Sequence, residues 1–432
     1  MADMLLAKSS RLQELEAAME DFVNNHCIPA EGPFEEALGH GAQRWQAVPQ
    51  IMEDLKAEAR RRGLWNLWLP KEFPQGAGLT NAEYAVLAEI TGRSLLAPEA
   101  CNCSAPDTGN MEVLLRYGSA EQKQRWLEPL LNGEIRSAFL MTEPEVASSD
   151  ATNIRCTFTR EPDGGYTIQG RKWWSSGAMD PRCRIAVVMG TVVGKPGQEQ
   201  SSHSKQTMLL MPMDLPGVKV LRPLQVFGYD DAPHGHAEVL LDSVRVGPEA
   251  LLLGEGKGFE IAQGRLGPGR VHHCMRLVGA AERSLRVAAA RAVDPRKSAF
   301  GQPVLGKLGV VRQQLARSRA TIEQAKLLVM ACAVALDQHS GQGSRPPRVR
   351  QLIALIKAAV PIACERAIDQ CLQILGSEGV SQDSPVARAL IAARTLRLAD
   401  GPDEVHELVV ARYELKAAME RGGGVEGRRS RL

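Results

Sequence analysis

The 432-residue sequence predicts an α+β protein that is mainly α, with its strands confined to one middle segment. Apolar residues recur at helical spacing near the N-terminus and again over residues 308–338 and 351–375. Short β-rich runs separated by turn residues are concentrated in the middle of the chain. This order predicts an N-terminal helical domain over residues 1–137, a small antiparallel β domain over 138–248, a C-terminal helical bundle over 249–420 and a flexible basic tail over 421–432.

In the N-terminal domain, the first helix is indicated by apolar residues that follow two serines able to cap it. These residues are Leu12, Leu15, Met19 and Phe22. Farther along, Ser119 and Gln122 form a capping box, which predicts the start of a helix that carries Trp126.

In the middle domain, four apolar runs follow turn residues and therefore read as strands. The polar stretch from Lys195 to Lys205 is typical of an exposed hairpin loop. The four strand runs are Tyr166–Ile168, Ile185–Met189, Thr207–Met211 and Glu238–Leu241.

In the C-terminal domain, the apolar stripes over residues 308–338 and 351–375 are wide enough for helices buried in a bundle.

The composition limits the classes of function. A formal net charge of +2 argues against a main role in binding nucleic acid or an anionic membrane surface. No apolar run approaches the roughly 18–20 residues that a transmembrane helix needs. The nine cysteines include no C-x-x-C pair, so buried thiols in a reducing compartment are expected.

Two further patterns suggest a dinucleotide-binding turn and a metal site, but the spacing of their residues argues against both. The run Gly254–Gly258 resembles a dinucleotide-binding turn, but its spacing is one residue short and no alternating strand–helix pattern follows. The run His272–Cys274 suggests a metal site, but adjacent helical side chains point about 100° apart and cannot converge on one ion.

The strongest local signal for a ligand is the segment from Phe139 to Asp150, where a threonine and two serines follow a strand. Side-chain hydroxyls and backbone N–H groups in such a loop can donate hydrogen bonds to an electron-poor ring and to pyrophosphate oxygens. A turn that contains proline and capping serines is the alternative interpretation.

A second cluster, Arg171–Gly177, places two tryptophans beside two serines on a strand. One indole can pack over a flat ligand while Ser175 forms a hydrogen bond with it. The alternative is a tryptophan in the core with its neighbour at the surface.

A third cluster, Ala399–His406, contains a break between two helices at Gly401 and Pro402. If Asp400 belongs to the preceding helix, its charge lies at the negative end of the helix dipole, and such violations of local rules can mark function. The alternative is that Asp400 caps the following helix.

Taken in order and spacing, these motifs resemble the acyl-CoA dehydrogenase family over almost the whole chain. Parts of the sequence, including Ala105–Met111 and Ala399–His406, are similar to the branch of family members ten and eleven. Animal members of that branch carry a separate kinase-like domain, which this sequence is not expected to contain. The matching stretches are Tyr117–Lys123, Thr142–Pro144 with Ser149-Asp150, Lys172–Gly177, Leu252–Gly256, Phe300-Gly301, Gln373–Gly376 and Asp400-Gly401.

The resemblance implies a helical domain, a middle β-barrel and a C-terminal four-helix bundle, with FAD lying between barrel and bundle. A neighbouring subunit would hold part of the FAD, so a homodimer, commonly doubled to a homotetramer, is expected. A family arginine that binds FAD falls on Lys297, which is preceded by Arg296, and the contact stays open between the two. The residues implied to contact FAD are Phe139, Met141, Thr142, Ser149, Trp173, Ser175, Pro402 and Glu404, with Gln373, Gly376 and Ser377 from the neighbour.

The resemblance also implies that Asp400 removes the α-proton of an acyl-CoA while a hydride leaves the β-carbon for flavin N5. Substrate contacts would come from Ser149, Gly401 and Arg270, the last on the coenzyme A side. Most of the family has Glu at the position of the base, so Asp400 is one methylene shorter.

For the substrate, the branch implies long-chain or 4-hydroxyacyl-CoA, with an electron-transferring flavoprotein as electron acceptor. One alternative is an acyl-CoA oxidase, for which the chain is short, and another is a catalytically silent protein that binds CoA esters. The C-terminal Ser430-Arg431-Leu432 fits the peroxisomal S-K-L type of signal, and a mitochondrial location is the alternative.

Overall fold

The computed structural model describes residues 8–193, 205–339 and 346–422. The predicted first helix and the capping box at Ser119 are both confirmed. Short π-helical turns join α1 to α2 and α7 to α8. The helices that precede the sheet are α1 (Ser10–Phe22), α2 (Ile28–Leu38), α3 (Gln50–Arg61), α4 (Asn81–Thr91), α5 (Ala97–Ala100), α6 (Asp107–Tyr117), α7 (Ala120–Gln122) and α8 (Glu128–Leu131).

The middle of the chain forms a seven-stranded mixed sheet in the order β1-β4-β2-β3-β7-β6, with β5 paired to β4. The four predicted strand runs lie within β3, β4, β5 and β7, which confirms the β-rich middle segment. The strands are β1 (Arg136–Leu140), β2 (Thr157–Arg160), β3 (Tyr166–Ser176), β4 (Cys183–Val193), β5 (Gln206–Pro212), β6 (Val218–Leu224) and β7 (His236–Val246).

The predicted antiparallel pairing is confirmed for four of the six strand pairs and was wrong for the other two. Strands β1 and β2 both run parallel to β4, β1 along its first half and β2 along its end. The chain can therefore leave the sheet after β1 and rejoin the same edge of β4 at β2. Because Leu140 pairs with Val188 and Thr157 with Thr191, a loop of residues 141–156 fills the gap between the two strands.

Helix α6 fixes the position of β1. The buried Asp107 carboxylate accepts hydrogen bonds from Ser137 N and Ser137 Oγ, each at 2.7 Å, and forms an ion pair with Arg136 at 2.8 Å. The amide of Asn110, one turn later, donates to Ser137 Oγ at 2.9 Å and to Ala138 O at 3.1 Å. One polar face of α6 thus holds the strand that leads into the loop 141–156.

The chain divides into two compact units, one of residues 18–79 and 94–269, the other of residues 1–17, 80–93 and 270–432. The first unit contains the sheet. The second is helical, and in it α11 packs against α10, α13 and α14. The later helices are α9 (Gly258–Val293), α10 (Gly309–Gln338), α11 (Pro347–Leu375), α12 (Ser377–Val380), α13 (Pro385–Leu396) and α14 (Asp403–Gly422).

Helix α4 belongs to the helical unit, although it precedes the sheet in sequence. It crosses α9 at two glycines: a Cβ on Gly279 would lie 1.9 Å from Glu89 O, and a Cβ on Gly92 would lie 2.0 Å from Arg276 O. Glycine is therefore required at both crossing positions. In addition, the Asp337 carboxylate of α10 accepts hydrogen bonds from the first two backbone N–H groups of α4 at 2.8 and 2.9 Å.

Within residues 8–193, 205–339 and 346–422, no helix is long and apolar enough to cross a membrane. All nine cysteines are buried, as the sequence predicts. The predicted loop Lys195–Lys205 lies outside the described residues except for its last residue. The C-terminal Ser430-Arg431-Leu432 also lies outside them, whereas Arg421 and Gly422 end helix α14.

Candidate active site

The loop 141–156 contains three of the residues predicted to contact flavin, Met141, Thr142 and Ser149. Met141 and Thr142 are half-buried at its start. The 3₁₀ turns Ala147–Ser149 and Ala151–Asn153 follow, and Ser148, in the middle of the first turn, has a left-handed backbone with φ +58°. Asp150 then caps the second turn by accepting a hydrogen bond from Thr152 N at 2.9 Å. The two turns therefore follow each other closely in the loop that lies between β1 and β2.

A buried ion pair fastens this loop to the sheet. Lys172 is completely buried and its Nζ lies 2.7 Å from Glu143 Oε1. The same ammonium group donates to Met141 O at 3.0 Å and to Met189 O at 2.7 Å. The Glu143 carboxylate in turn accepts from the backbone N–H groups of residues 155 and 156, at 2.7 and 3.0 Å. One pair thus holds both ends of the loop.

Strand β3 continues from this anchor to the predicted indole and hydroxyl. Trp173 N donates to Thr142 O at 3.0 Å, so the strand bonds directly to the loop. A β-bulge follows, with φ +49° at Trp174, and it interrupts the register between Lys172 and Ser175. Because the bulge adds one residue, Lys172 and Ser175 are both buried, although residues three apart on a regular strand face opposite sides.

The side chain of Ser175 fits a ligand that forms hydrogen bonds. Its Oγ is buried and has no hydrogen-bond partner among the described residues. A buried hydroxyl without a partner costs about 1–3 kcal/mol, so a group that supplies one is favoured there. Trp173 beside it is half-buried and Trp174 is 38% exposed. A flat ring with polar edges, such as flavin, would satisfy both the hydroxyl and the indole surface.

In the helical unit, Asp400 lies in the turn between α13 and α14. Its backbone is left-handed, with φ +57°, and it belongs to neither helix. Gly401 follows with φ +97°, and a Cβ there would lie 2.9 Å from His406 Nε2. The turn therefore requires glycine after the aspartate. The Asp400 side chain is 22% exposed, so its carboxylate remains accessible.

Three cationic or polar side chains surround Asp400. Its backbone oxygen accepts from Arg270 Nη2 at 3.2 Å and from His406 Nε2 at 3.1 Å. Its carboxylate Oδ2 lies 3.3 Å from His273 Nε2. The main chain and the side chain of this residue are therefore held separately, by different groups.

Below the turn, Lys357 is completely buried. Its Nζ donates to Leu396 O, at the end of α13, and to Gly401 O at 3.2 Å. Burial lowers the pKa of the Lys357 ammonium group. Burial, and then the charge of Arg270, lower the pKa of His406 to about 4, so this imidazole is neutral near pH 7 and donates through Nε2.

The helical unit also contains a second group of predicted FAD ligands. Gln373, Gly376 and Ser377 are exposed around the end of α11. Lys297 lies in the same region, because its Nζ is 3.3 Å from the carboxylate of Glu378, the residue that follows Ser377. Arg296 instead pairs with Asp294 at 2.8 Å and is 86% exposed. Of the two candidates that the sequence leaves open, Lys297 lies with the other predicted ligands.

The remaining predicted residues have defined positions. Phe139 is half-buried in β1, Pro402 is half-buried in the turn after Asp400, and Glu404 is exposed in the first turn of α14. The backbone of Ser149 lies in the first 3₁₀ turn of the loop. No described group of three or more His, Cys, Asp or Glu side chains could hold a metal ion.

Sequence patterns do not single out His273, Lys357 and His406 as neighbours of Asp400. The useful signal for His273 is its spacing from Arg270, because residues three apart share one face of a helix. His272, on the adjacent face, is buried edge-on against Tyr84, with 4.6 Å between ring centroids. The two histidines therefore have separate partners, as their divergence on the helix predicts.

Family models match nearly the whole chain in three consecutive parts. These are the N-terminal domain of acyl-CoA dehydrogenase over residues 9–134, the middle domain over 138–244 and the C-terminal domain over 256–415.

Among curated proteins, the mouse acyl-CoA dehydrogenase family member 10 is 50% identical over 94% of this chain, and the human family member 11 is 46% identical over 96%. This chain spans only 37% and 52% of the length of these two relatives. The acyl-CoA dehydrogenase candidate FadE2 of Mycobacterium tuberculosis is 48% identical, over 95% of this chain and 97% of its own length.

Solved structures share the same fold. A Mycobacterium abscessus protein described as a candidate acyl-CoA dehydrogenase is 48% identical, with a TM-score of 0.88 over 96% of this chain and all of its own. Butyryl-CoA dehydrogenase of Megasphaera elsdenii is 22% identical, with a TM-score of 0.77 over 95% of this chain and 99% of its own. A Bacillus anthracis acyl-CoA dehydrogenase complexed with FAD is 23% identical, with a TM-score of 0.77 over 96% of this chain and 68% of its own.

Proposed function

The chain belongs to the acyl-CoA dehydrogenase family of FAD-dependent oxidoreductases, and from this premise we propose that it oxidises an acyl-CoA between C2 and C3. The observation that carries the proposal is the Asp400 carboxylate, which is accessible on a turn fixed by Arg270, His406 and Lys357. A general base must be held in place and yet be able to reach the proton that it removes.

In this mechanism, Asp400 takes the α-proton of the thioester. The backbone N–H of Asp400 would stabilise the negative charge that develops on the thioester carbonyl, and Arg270 would lie on the coenzyme A side. Bound FAD supplies the acceptor for the hydride that leaves the β-carbon. Asp400 then carries the proton until the product is released.

FAD would be held by residues of one subunit and by an exposed patch of a neighbouring subunit. The Ser175 hydroxyl, which has no hydrogen-bond partner among the described residues, supports the first part, and the grouping of Lys297 with exposed polar residues supports the second. The residues proposed to contact FAD are Phe139, Met141, Thr142, Ser149, Trp173, Ser175, Pro402 and Glu404, with Lys297, Gln373, Gly376 and Ser377 from the neighbour.

For the substrate we propose long-chain or 4-hydroxyacyl-CoA, and for the electron acceptor an electron-transferring flavoprotein. Both are implied by the resemblance to the branch of family members ten and eleven, and the chain is similar to members of that branch. The test is an anaerobic titration of the purified holoprotein with saturated and 4-hydroxy acyl-CoA thioesters of increasing chain length. The expected result is loss of the flavin absorbance near 450 nm with at least one of them.

The Asp400→Asn variant tests the base. It should keep FAD but be bleached about 10²–10⁴ times more slowly, which is the usual contribution of a general base. Glu407→Gln, an exposed change on α14, is the matched control and should bleach at the wild-type rate. Unchanged bleaching of Asp400→Asn would move the base elsewhere.

Two other outcomes would contradict the proposed activity. A purified protein that binds CoA esters but whose flavin none of them bleaches would be a silent binding protein. A reduced flavin that air reoxidises within the turnover time, with substrate still bound, would indicate an acyl-CoA oxidase.

A further inference from the structure

We propose that His273 is a positioning residue that orients the Asp400 carboxylate by donating a hydrogen bond to it, and that Arg276 fixes the tautomer of His273 for this purpose. The inference rests on the proposed function, because it concerns the base of that reaction. It assigns a role to two residues of α9 that do not themselves contact the reacting atoms.

The first step of the argument is the contact between the two helix residues. Arg276 Nη2 lies 3.1 Å from His273 Nδ1. A guanidinium group can only donate hydrogen bonds, so Nδ1 must accept here and cannot carry a hydrogen. The neutral imidazole then has its single N–H at Nε2.

The second step is the direction of that remaining N–H. His273 Nε2 lies 3.3 Å from Asp400 Oδ2. With Nδ1 occupied by Arg276, the hydrogen lies on Nε2, which is the ring nitrogen within contact distance of the carboxylate. Arg276, His273 and Asp400 therefore form a chain in which each group donates to the next.

The third step is what this contact adds to the turn. Arg270 and His406 hold the backbone oxygen of Asp400, and Lys357 holds the carbonyl of the next residue. None of these contacts fixes χ1 and χ2 of the aspartate, which decide where the carboxylate points. The contact from His273 acts on the side chain itself, so it restricts the rotation that the backbone contacts leave open.

The expected size of the effect follows from the geometry of proton transfer. A base that is displaced by about 1 Å loses up to about 100-fold in rate. Loss of the His273 donor should therefore lower kcat about tenfold to hundredfold. KM should change little, because coenzyme A binding does not depend on the direction of this carboxylate.

The test compares His273→Gln with His273→Met, two side chains of similar length of which only glutamine can donate. The holoenzyme variants are assayed with the acyl-CoA that bleaches wild-type flavin fastest, and with the same thioester deuterated at C2. We expect kcat of His273→Gln within about threefold of wild type, and His273→Met lowered about tenfold or more with a larger isotope effect. FAD content and Tm should be the same in both variants.

Arg276→Met provides a second, independent measurement. It should lower kcat in the wild-type background, because the imidazole can then place its hydrogen on either nitrogen. In the His273→Gln background the same change should have no effect on kcat, because no tautomer remains to be fixed. Equal losses in the two backgrounds would overturn the role of Arg276.

The outcomes separate this inference from the proposed function. If Asp400→Asn is still bleached at the wild-type rate, the base assignment fails and the role of His273 fails with it. If Asp400→Asn is inactive while His273→Gln and His273→Met have the same kcat, the proposed function stands and His273 is not a positioning residue. If His273→Met loses FAD and cannot be assayed, the Arg276→Met variants decide the question. The inference is then overturned if Arg276→Met lowers kcat in the His273→Gln background as it does in the wild-type background.

Discussion

Asp400 occupies a backbone conformation that few residues other than glycine adopt. Its φ of +57° lies in the left-handed region, where aspartate and asparagine are the usual exceptions. Such a conformation persists when neighbouring groups fix it, and here Arg270, His406 and Lys357 bond to the backbone of the turn. The strained backbone and the accessible carboxylate occur at the same residue, which is the combination expected of a functional position.

His406 makes the stability of this turn depend on pH. In the folded protein its pKa is about 4, whereas its ordinary value is 6.5. Between these values the unfolded chain binds more protons than the folded one, so stability falls as the pH is lowered from 6.5 to 4. His406→Gln removes this titration while keeping a side-chain donor for Asp400 O. Its Tm should therefore fall less than the wild-type Tm over this range.

Tm measured for both proteins at several values between pH 4 and pH 7 checks this prediction. Parallel curves for wild type and His406→Gln would mean that His406 does not take up its proton in this range on unfolding. A steeper curve for the variant would contradict the sign of the shift.

For single residues, the sequence predicts which side chains are candidates for the site but not which of them are in contact. Asp400 is indicated because Gly401 and Pro402 break the helix pattern beside it. The role inferred for His273 is not visible in the sequence, because it depends on the distance to a residue more than one hundred positions away. The buried pairing of Lys172 with Glu143, 29 positions apart, is not visible in the sequence either, because it depends on how β3 packs against the loop.

The loop 141–156 illustrates how one element depends on another. Its two ends are joined through the Lys172–Glu143 pair, which lies in the interior of the sheet unit. A buried pair need not add net stability, but removal of one partner leaves the other charge buried alone. The geometry of the loop is therefore sensitive to a single residue of β3.

Lys172→Met should lower the free energy of unfolding by about 3–5 kcal/mol, because the Glu143 carboxylate would be buried without its cation. The dissociation constant of FAD should rise as well, since the loop would lose its anchor. Lys219→Met is the matched control: Lys219 pairs with Asp242 in the same sheet, but both side chains are about half exposed. It should cost no more than about 1 kcal/mol.

Urea unfolding and a flavin fluorescence titration of both variants check the prediction. Equal unfolding energies for Lys172→Met and Lys219→Met would show that the buried pair is not the anchor. A destabilised Lys172→Met with unchanged FAD affinity would show that the pair holds the sheet without shaping the loop.

Helices are predicted more accurately than strand pairing. The stripes over residues 308–338 and 351–375 correspond to α10 and α11, the second of which begins earlier, at a proline suited to the first helical turn. Strand β6 was not predicted, because its exposed edge position gives it no apolar alternation. The parallel pairing of β1 and β2 depends on where distant segments meet, which local patterns do not encode.

For the whole molecule, we propose that subunits associate through exposed surfaces of the helical unit. The exposed group of Gln373, Gly376 and Ser377 is one surface that a second copy would use. Helix α14 offers another, because Leu408, Leu415 and Met419 are each more than half exposed, at spacings that place them on one face. We expect a homodimer or a homotetramer in which FAD contacts two subunits.

Mixing two inactive variants tests this arrangement. Trp173→Ala damages the flavin site of its own sheet unit, and Gln373→Glu damages the patch offered to the neighbour. If FAD is shared, a mixed dimer contains one site with both defects and one site with neither. Refolding equal amounts together should restore bleaching at about a quarter of the sites.

Bleaching amplitude of the mixture, compared with each variant alone, checks the prediction. The control is a mixture of Trp173→Ala with Trp173→Ala/Gln373→Glu, which can form no intact site. If the two variants form mixed dimers but bleaching is not restored, each FAD is bound within one chain.

The domain organisation predicted from the sequence, with boundaries after residues 137 and 248, follows composition along the chain. The two compact units follow contacts in space, and they differ in where α4 belongs. Helix α4 belongs to the helical unit because it packs closely against α9 at Gly92 and Gly279. The sequence does not predict this contact, because a glycine in a helix does not indicate which segment packs against it.

The membership of α4 in the helical unit has a consequence for dividing the protein. Since residues 80–93 interrupt the sheet unit in sequence, no single cleavage of the chain yields either unit intact. A fragment that starts after Arg93 would lack the helix that covers Gly279, so it would expose backbone and apolar surface of α9. Neither half should therefore be obtainable as a separately folded piece by simple truncation.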